Sequence, residues 1–262
     1  MTILDTIISA KRIEVEERKR KVTIQELEAS DSFQRPVLSL KQFIQDPGRT
    51  GIIAEFKRRS PSKGIINDHS SVVDVTSAYA DGGASALSVL TDAEFFGGST
   101  DDLKKARVNR IPILRKDFIV DEYQVLEARA MGADVILLIA ACLTIAEVKQ
   151  LAFIAKSLSL EILLELHDEM ELAHINEYTE IVGINNRNLK TFDVDMEKSI
   201  RMAESIGSSR VKVAESGISR PEDILNFRSY GFDGFLIGER FMKDEDPGLA
   251  FNNFVETLKS LA

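Results

Sequence analysis

Apolar and polar positions change rhythm near residue 50. Before it, Ile3, Leu4, Ile7, Ile8 and Val15 recur at roughly helical spacing and run into mixed Lys, Arg and Glu. That pattern predicts a helix over 2–20 whose charged part faces solvent. Thr23 with Glu26 three residues later forms a capping box, which predicts a short helix over 23–30. Leu40 to Ile44 supply one further turn before Asp46-Pro47-Gly48 stops it. Beyond residue 50, short apolar runs alternate with helical patterns. The expected strands are 51–57, 84–90, 111–115, 134–140, 160–166, 180–185, 210–214 and 233–238. Helices are expected near 71–82, 100–107, 121–130, 144–157, 168–175, 194–206, 220–229 and 247–261.

Continuous apolar runs such as Gly51-Ile-Ile-Ala-Glu-Phe-Lys57 are what strands covered on both faces look like. Gly83, Gly132 and Gly231 each stand just before a strand, where a left-handed helix terminus favours glycine. Eight β/α units in about 210 residues fit a closed parallel barrel. The open doubly wound alternative lacks support, because no strand leads into Gly-x-Gly-x-x-Gly and no Gly-x-x-x-x-Gly-Lys-Ser/Thr occurs. The expected fold is an α/β, (β/α)8 TIM barrel spanning 1–262 as one domain, with residues 1–48 as an N-terminal helical extension.

Composition narrows the partners. The chain has 262 residues and a net charge of −9, so nucleic acid is not an expected partner. Cys142 is the single cysteine, which rules out an intrachain disulfide and a cysteine-based metal cluster. His69, His167 and His174 are too scattered to suggest a metal site. No segment approaches the ~20 apolar residues a membrane helix needs. Glu14, Glu16 and Glu17 make the N-terminus too acidic for a transit peptide, and a cytoplasmic location is expected.

In such a barrel, chemistry sits where the strands end. Side chains alternate along a strand, so Glu55 and Lys57 share a side with Ile53, whereas Ile52, Ala54 and Phe56 face the other way. The later strand ends deliver Ser88 and Thr91, Arg115-Lys116-Asp117, Cys142, Glu165 and His167, Asn185 and Arg187, Glu215-Ser216-Gly217, and Gly238-Glu239. Unpaired carboxylates at a barrel mouth are costly, so Glu55 and Glu165 are expected to pair with Lys57 and Lys116. Such coupling sets up an acid and a base. A lysine here has three possible jobs: Schiff base, general acid or anion clamp. Ser216-Gly217 and Gly238 stand at the seventh and eighth strands, where barrels commonly hold phosphate. The Ser60–Gly64 loop, with Lys57 or Lys63, is placed to close over it. Phe95, Phe96 and Phe118 are candidates to pack on a ring. Cys142 reads as a small apolar filler, with no histidine placed to activate it.

Four stretches carry a resemblance: Ile53-Ala-Glu-Phe-Lys-Arg-Arg-Ser-Pro-Ser62, Pro112-Ile-Leu-Arg-Lys-Asp-Phe-Ile-Val120, Gly183-Ile-Asn-Asn-Arg-Asn-Leu189 and Val213-Ala-Glu-Ser-Gly-Ile218. Together they resemble the indole-3-glycerol-phosphate synthase family, along essentially the whole chain. The resemblance implies conversion of 1-(2-carboxyphenylamino)-1-deoxyribulose 5-phosphate to indole-3-glycerol phosphate, CO2 and water in tryptophan biosynthesis. It implies no metal and no organic cofactor. By the same resemblance, Lys116 is the principal general acid and Glu165 stabilises a cationic intermediate. Lys57 is an acid in the later dehydration, with Glu55 and Asn185 beside it. Arg187 holds the substrate carboxylate, and Ser60 and Phe118 are substrate contacts. Ser216, Gly217 and Gly238 hold phosphate. Some members carry serine after Gly238, where this chain has Glu239.

The expected partner is therefore a small anionic phosphosugar–anthranilate substrate, without nucleic acid or membrane; monomer and weak homo-oligomer both stay open. The competing readings are phosphoribosylanthranilate isomerase, a Schiff-base aldolase, and a non-catalytic phosphate-binding barrel. The isomerase would want a Cys or Asp acid/base pair where this chain has Glu55-x-Lys57.

Overall fold

A computed structural model of the chain describes residues 2–187 and 195–261. Eight strands form a closed parallel barrel: β1 (Ile52–Phe56), β2 (Ala86–Leu90), β3 (Ile113–Lys116), β4 (Val135–Ile139), β5 (Glu161–Leu166), β6 (Ile181–Asn185), β7 (Val211–Glu215) and β8 (Gly234–Ile237). Closure is made by β1, which pairs with β2 on one side and with β8 on the other, Ile53 opposite Leu236. The expected strands stand within a residue or two of these bounds. Asn188 and Leu189 of the third motif, and residue 194 at the expected start of a helix, lie outside the described residues.

Alternation sorts each strand into two cores. Ile52, Ala54 and Phe56 belong to the cluster packed between strands and helices. Ile53 belongs instead to the barrel interior, with Ala86, Leu114, Val135, Leu137, Leu163, Ile181, Val213 and Leu236. Burying each such side chain contributes about 1.5–3 kcal/mol. The floor of the interior is plugged by α3 (Leu40–Gln45), whose Leu40 and Ile44 pack into the same cluster. That apolar floor leaves polar side chains room only at the opposite end, where the strands finish.

The outer helices are α4 (Val72–Asp81), α5 (Thr100–Ala106), α6 (Glu122–Met131), α7 (Ile145–Ser157), α8 (Met196–Ile206), α9 (Pro221–Ser229), α10 (Glu239–Met242) and α11 (Pro247–Leu261), numbered after α1 (Ile3–Lys21), α2 (Ile24–Glu28) and α3 in the extension. Gly83, Gly132 and Gly231 have φ of 96°, 90° and 78°, the left-handed termini expected before strands. Two features depart from the regular repeat. The segment after β5 is a 3-10 helix, Glu169–His174. The loop after β1 folds into a hairpin, Arg59–Ser60 against Gly64–Ile65.

The extension corrects one expectation. The charged part of α1 is not simply a solvated face. Lys11 is almost wholly buried, with Nζ 2.8 Å from Asp92 Oδ2, 3.0 Å from Asp117 Oδ1 and 2.7 Å from Glu14 Oε2. Burial opposes its charge, but the two aspartates outweigh burial and hold the ammonium pKa above its ordinary value. Arg18 pairs with Glu127 at 3.0 Å and Lys19 with Asp121 at 2.8 Å. Helical periodicity shows which residues share a face, but not that acids on other elements meet that face. In α2 the expected capping box is present, Thr23 accepting from Glu26 N while Glu26 accepts from Thr23 N. Among the described residues, no helix is long and apolar enough to cross a membrane.

Candidate active site

The strand ends open onto a cavity of about 350 Å³. Glu55, Lys57, Lys116, Glu165, Asn185, Arg187, Ser60, Phe118, Ser216, Gly217 and Gly238 all line it. These residues come from six strands and their loops, and the barrel brings them together; Ser88, Thr91, Cys142, Lys63 and Phe95, also noted from the sequence, do not line the cavity. Alternation explains which of them point inward. Glu55, two residues beyond the interior Ile53, and Lys116, two beyond Leu114, continue the inward rows of β1 and β3. Arg115 therefore points outward. It is fully buried against Glu127 at 2.7 Å and Asp117 at 3.1 Å. The Arg115 and Asp117 charges on either side of Lys116 thus serve the wall of the barrel.

Two charged groups occupy the mouth. In the first, Lys57 Nζ lies 2.8 Å from Glu55 Oε1, and Ser88 donates to Glu55 Oε2 at 3.4 Å. In the second, Lys116 Nζ donates to Glu165 Oε2 at 2.7 Å and to Glu215 Oε2 at 3.4 Å. Asn185 Nδ2 donates to the other oxygen of Glu165 at 3.0 Å. His167 Nε2 stands 3.0 Å from that oxygen, at ion-pair distance but without hydrogen-bond geometry.

Two lysines thus face three carboxylates, and the crowding pushes the proton affinities of the carboxyls apart. Burial raises Glu215, and the negative charge of Glu165 raises it further, well above the usual carboxylate range. Burial acts on Glu165 in the same direction, but Lys116 and His167 outweigh it and hold Glu165 well below that range. Burial opposes the charge of Lys116, and Glu165, Glu215 and Glu55 override it, raising its pKa. Of the two carboxyls around the Lys116 ammonium, Glu215 therefore holds a proton more readily than Glu165. Two carboxyls whose environments push their proton affinities apart around one ammonium can store and pass a proton.

A second region has the form of an anion cradle. Ser216 and Gly217 both have left-handed backbone, φ 67° and 77°. Such a conformation is strained for serine, and Asn186 braces it by donating to the Ser216 carbonyl at 2.7 Å. Gly238 has an ordinary φ of −125°. Its need for glycine is spatial: a Cβ there would meet Glu55 Oε1 at 2.5 Å and Glu55 Cβ at 2.9 Å. Arg187 and Lys63 flank the region, each near Glu239, at 3.9 and 3.8 Å.

The apolar wall has two sources. Phe96 and Phe118 pack with ring centroids 6.0 Å apart. Ile3, Leu4 and Ile7 of α1 line the same cavity, so the extension roofs the mouth. Cys142 packs against both cores, and burial raises its thiol pKa, as suits a filler.

Sequence reasoning gave no role to Glu215, His167 or the α1 residues. For Glu215 the signal was present, since it stands two residues beyond the inward Val213. For His167 the same signal was present, since it stands two residues beyond Glu165 in the row of the inward Leu163; for the α1 residues it was not, because their neighbours lie on other elements.

Fold and site together define a (β/α)8-barrel enzyme with acid–base groups at the mouth. The family model of "Indole-3-glycerol phosphate synthase" matches residues 4–254. A curated relative of that name from Bacteroides thetaiotaomicron is 46% identical over 258 residues, covering 98% of this chain and 99% of its own. Relatives of the same name from Polaromonas sp. and Burkholderia vietnamiensis are 46% and 45% identical over 253 residues. Each alignment covers 95% of this chain, and 96% and 97% of theirs. Among solved structures, a chain of the tryptophan synthase α2β2 complex of Pyrococcus furiosus superposes with a TM-score of 0.61. At 17% identity it shares the fold alone, covering 81% of this chain and 99% of that one. The chain belongs to the indole-3-glycerol phosphate synthase family, carboxy-lyases of tryptophan biosynthesis.

Proposed function

We propose that the barrel mouth closes the indole ring of 1-(2-carboxyphenylamino)-1-deoxyribulose 5-phosphate, with Lys116 as the general acid and Glu165 and Glu215 as its proton partners. The observation that carries this reading is the Lys116 ammonium held between Glu165 at 2.7 Å and Glu215 at 3.4 Å, two carboxyls whose proton affinities are pushed in opposite directions. Lys116 is fully protonated at neutral pH but a weak acid. It therefore gives up its proton only to an oxygen becoming alkoxide-like as the aromatic ring attacks the ribulose carbonyl, which is general rather than specific acid catalysis.

The new C–C bond leaves a hydroxyl on the sugar carbon and a positive charge conjugated with the aniline nitrogen. That charge lets the ring carboxylate depart as CO2, its bonding electrons returning to the ring, so the intermediate is its own electron sink. Glu165, anionic and oriented by Asn185, stabilises the cation electrostatically. Loss of the hydroxyl as water needs a second protonation of oxygen and removal of a proton from the adjacent carbon. The Lys57–Glu55 pair, separate from the Lys116 cluster, suits that step.

In this reading Arg187 binds the substrate carboxylate, while Ser216, Gly217 and Gly238 hold the phosphate with Ser60 of the hairpin over it. Phe118, with Phe96, packs on the aromatic ring. The roofing by Ile3, Leu4 and Ile7 supports treating residues 1–48 and the barrel as one functional domain. A cytoplasmic location is part of the same proposal. The chain has no tryptophan, so indole fluorescence appearing on mixing with the carboxyphenylamino substrate is a clean assay. Absence of that signal, with the substrate recovered unchanged, refutes the reading.

A further inference from the structure

Gly183 lies in the middle of β6, two residues after Ile181 in the barrel interior and two before Asn185 in the mouth. It therefore belongs to the inward row. Its φ is not in the left-handed region, so the backbone itself would accept alanine. Space would not: a Cβ at Gly183 would stand 2.0 Å from Glu215 Oε1, 3.2 Å from Glu215 Cδ and 3.3 Å from Leu163 Cδ1. The first distance is far inside van der Waals contact. Glu215 Oε1 is buried and has no hydrogen-bond partner, whereas Oε2 faces Lys116 at 3.4 Å. Glu215 of β7 thus points one carboxyl oxygen end-on at the bare Cα of the neighbouring strand, and this posture aims its other oxygen at the ammonium.

We propose that Gly183 is a positioning residue for Lys116: its missing side chain is the space that seats the Glu215 carboxyl and fixes how closely that carboxyl approaches the ammonium. A methyl group there displaces Glu215 by more than an ångström. It also changes the partner set of Lys116 by moving Glu215, which lines the cavity, while Lys116 and Glu165 keep their own side chains. The proposal rests on the functional reading above, in which Lys116 is the acid.

The test is a double-mutant cycle. In Gly183→Ala, kcat is expected to fall about 10²-fold, the scale of a 1 Å misplacement, with KM within about threefold. In an enzyme already carrying Glu215→Asp, whose side chain is one methylene shorter, Gly183→Ala is expected to cost less than about threefold in kcat. Costs that multiply independently in the cycle overturn the proposal, as does near-normal kcat in Gly183→Ala. If Gly183→Ala does not fold, Gly183→Ala with Glu215→Ala should fold, because the clashing carboxyl is gone. Failure of both to fold overturns it.

A readout that needs no turnover separates this idea from the functional reading. The infrared absorption of the Glu215 side chain, identified by its loss in Glu215→Gln, is expected to shift in Gly183→Ala. An unmoved band overturns the proposal even in an active enzyme. An inactive wild-type enzyme refutes the functional reading and leaves the band to be measured.

Discussion

Lys11 Nζ lies 3.0 Å from Asp117 Oδ1, so a residue of the first helix is ion-paired to the residue that follows Lys116. The same ammonium holds Asp92, whose other oxygen accepts from the backbone N–H groups of Phe95 and Phe96. One buried charge therefore fixes α1 and the loops after β2 and β3, which carry the two phenylalanines of the ring pocket.

Lys11→Met should accordingly act on both stability and binding. Removing one partner of a buried pair leaves uncompensated charge and costs about 3–5 kcal/mol. Urea unfolding should show a loss of that size. KM should also rise, because Ile3, Leu4 and Ile7 lose their seat over the cavity. Unchanged KM in the folded variant would separate the roof from the site.

Asp117 gives the pH dependence a sign. Burial favours its neutral form, but Arg115 and Lys11 prevail and push its pKa down to about 2, against an ordinary 3.8. A depressed native pKa contributes stability above the unfolded pKa and loses it as pH falls through the native one. The contribution is about 2 kcal/mol, complete above about pH 4 and lost towards about pH 2. The stability difference between wild type and Asp117→Asn should shrink over that window. A difference that stays constant down to pH 2 would contradict the pairing.

Lys116→Ala removes the proposed acid. Its kcat should fall by at least about 10²–10⁴-fold, while substrate affinity by calorimetry stays within about tenfold. Near-normal turnover would sink the assignment of Lys116.

Ser216→Asp probes the anion cradle. Aspartate is among the residues that tolerate left-handed backbone, so the turn should survive and the change should be mainly one of charge. Repulsion of the substrate phosphate should raise KM about tenfold or more, about 1.4 kcal/mol. Unchanged KM would move the phosphate elsewhere.

Glu239 competes with the substrate for cations. Its carboxylate lies near Arg187 and Lys63, both of which the proposed substrate anions would use. These pairs are partly exposed, so each contributes about 0.2–1 kcal/mol. Glu239→Gln should lower KM up to about fivefold and weaken its salt dependence. A raised KM would mean that Glu239 instead orders Arg187 for binding.

Strand parity was the most legible part of the sequence. It placed Glu55 and Lys57 beside each other and away from Ile52, Ala54 and Phe56, and the two cores follow that division. Helix bounds were equally clear, because caps such as Thr23 are local. The illegible residues act across elements. Lys11 looks like any lysine on a charged helix until the loops after β2 and β3 fold over it. Gly183 is an ordinary glycine in a strand until the length of Glu215 on the next strand is known.

The roof over the mouth has a consequence for how the chain is made. Helix α1 is made before its anchors Asp92, Asp117, Asp121 and Glu127, which belong to the first half of the barrel. The strand that β1 needs for closure, β8, comes later still. During synthesis, when domains fold as units, the opening helix must wait with Lys11 solvated and Ile7 exposed. A helix made early thus finds its place only after later strands are made, and the catalytic chamber gains its ceiling only once those walls exist.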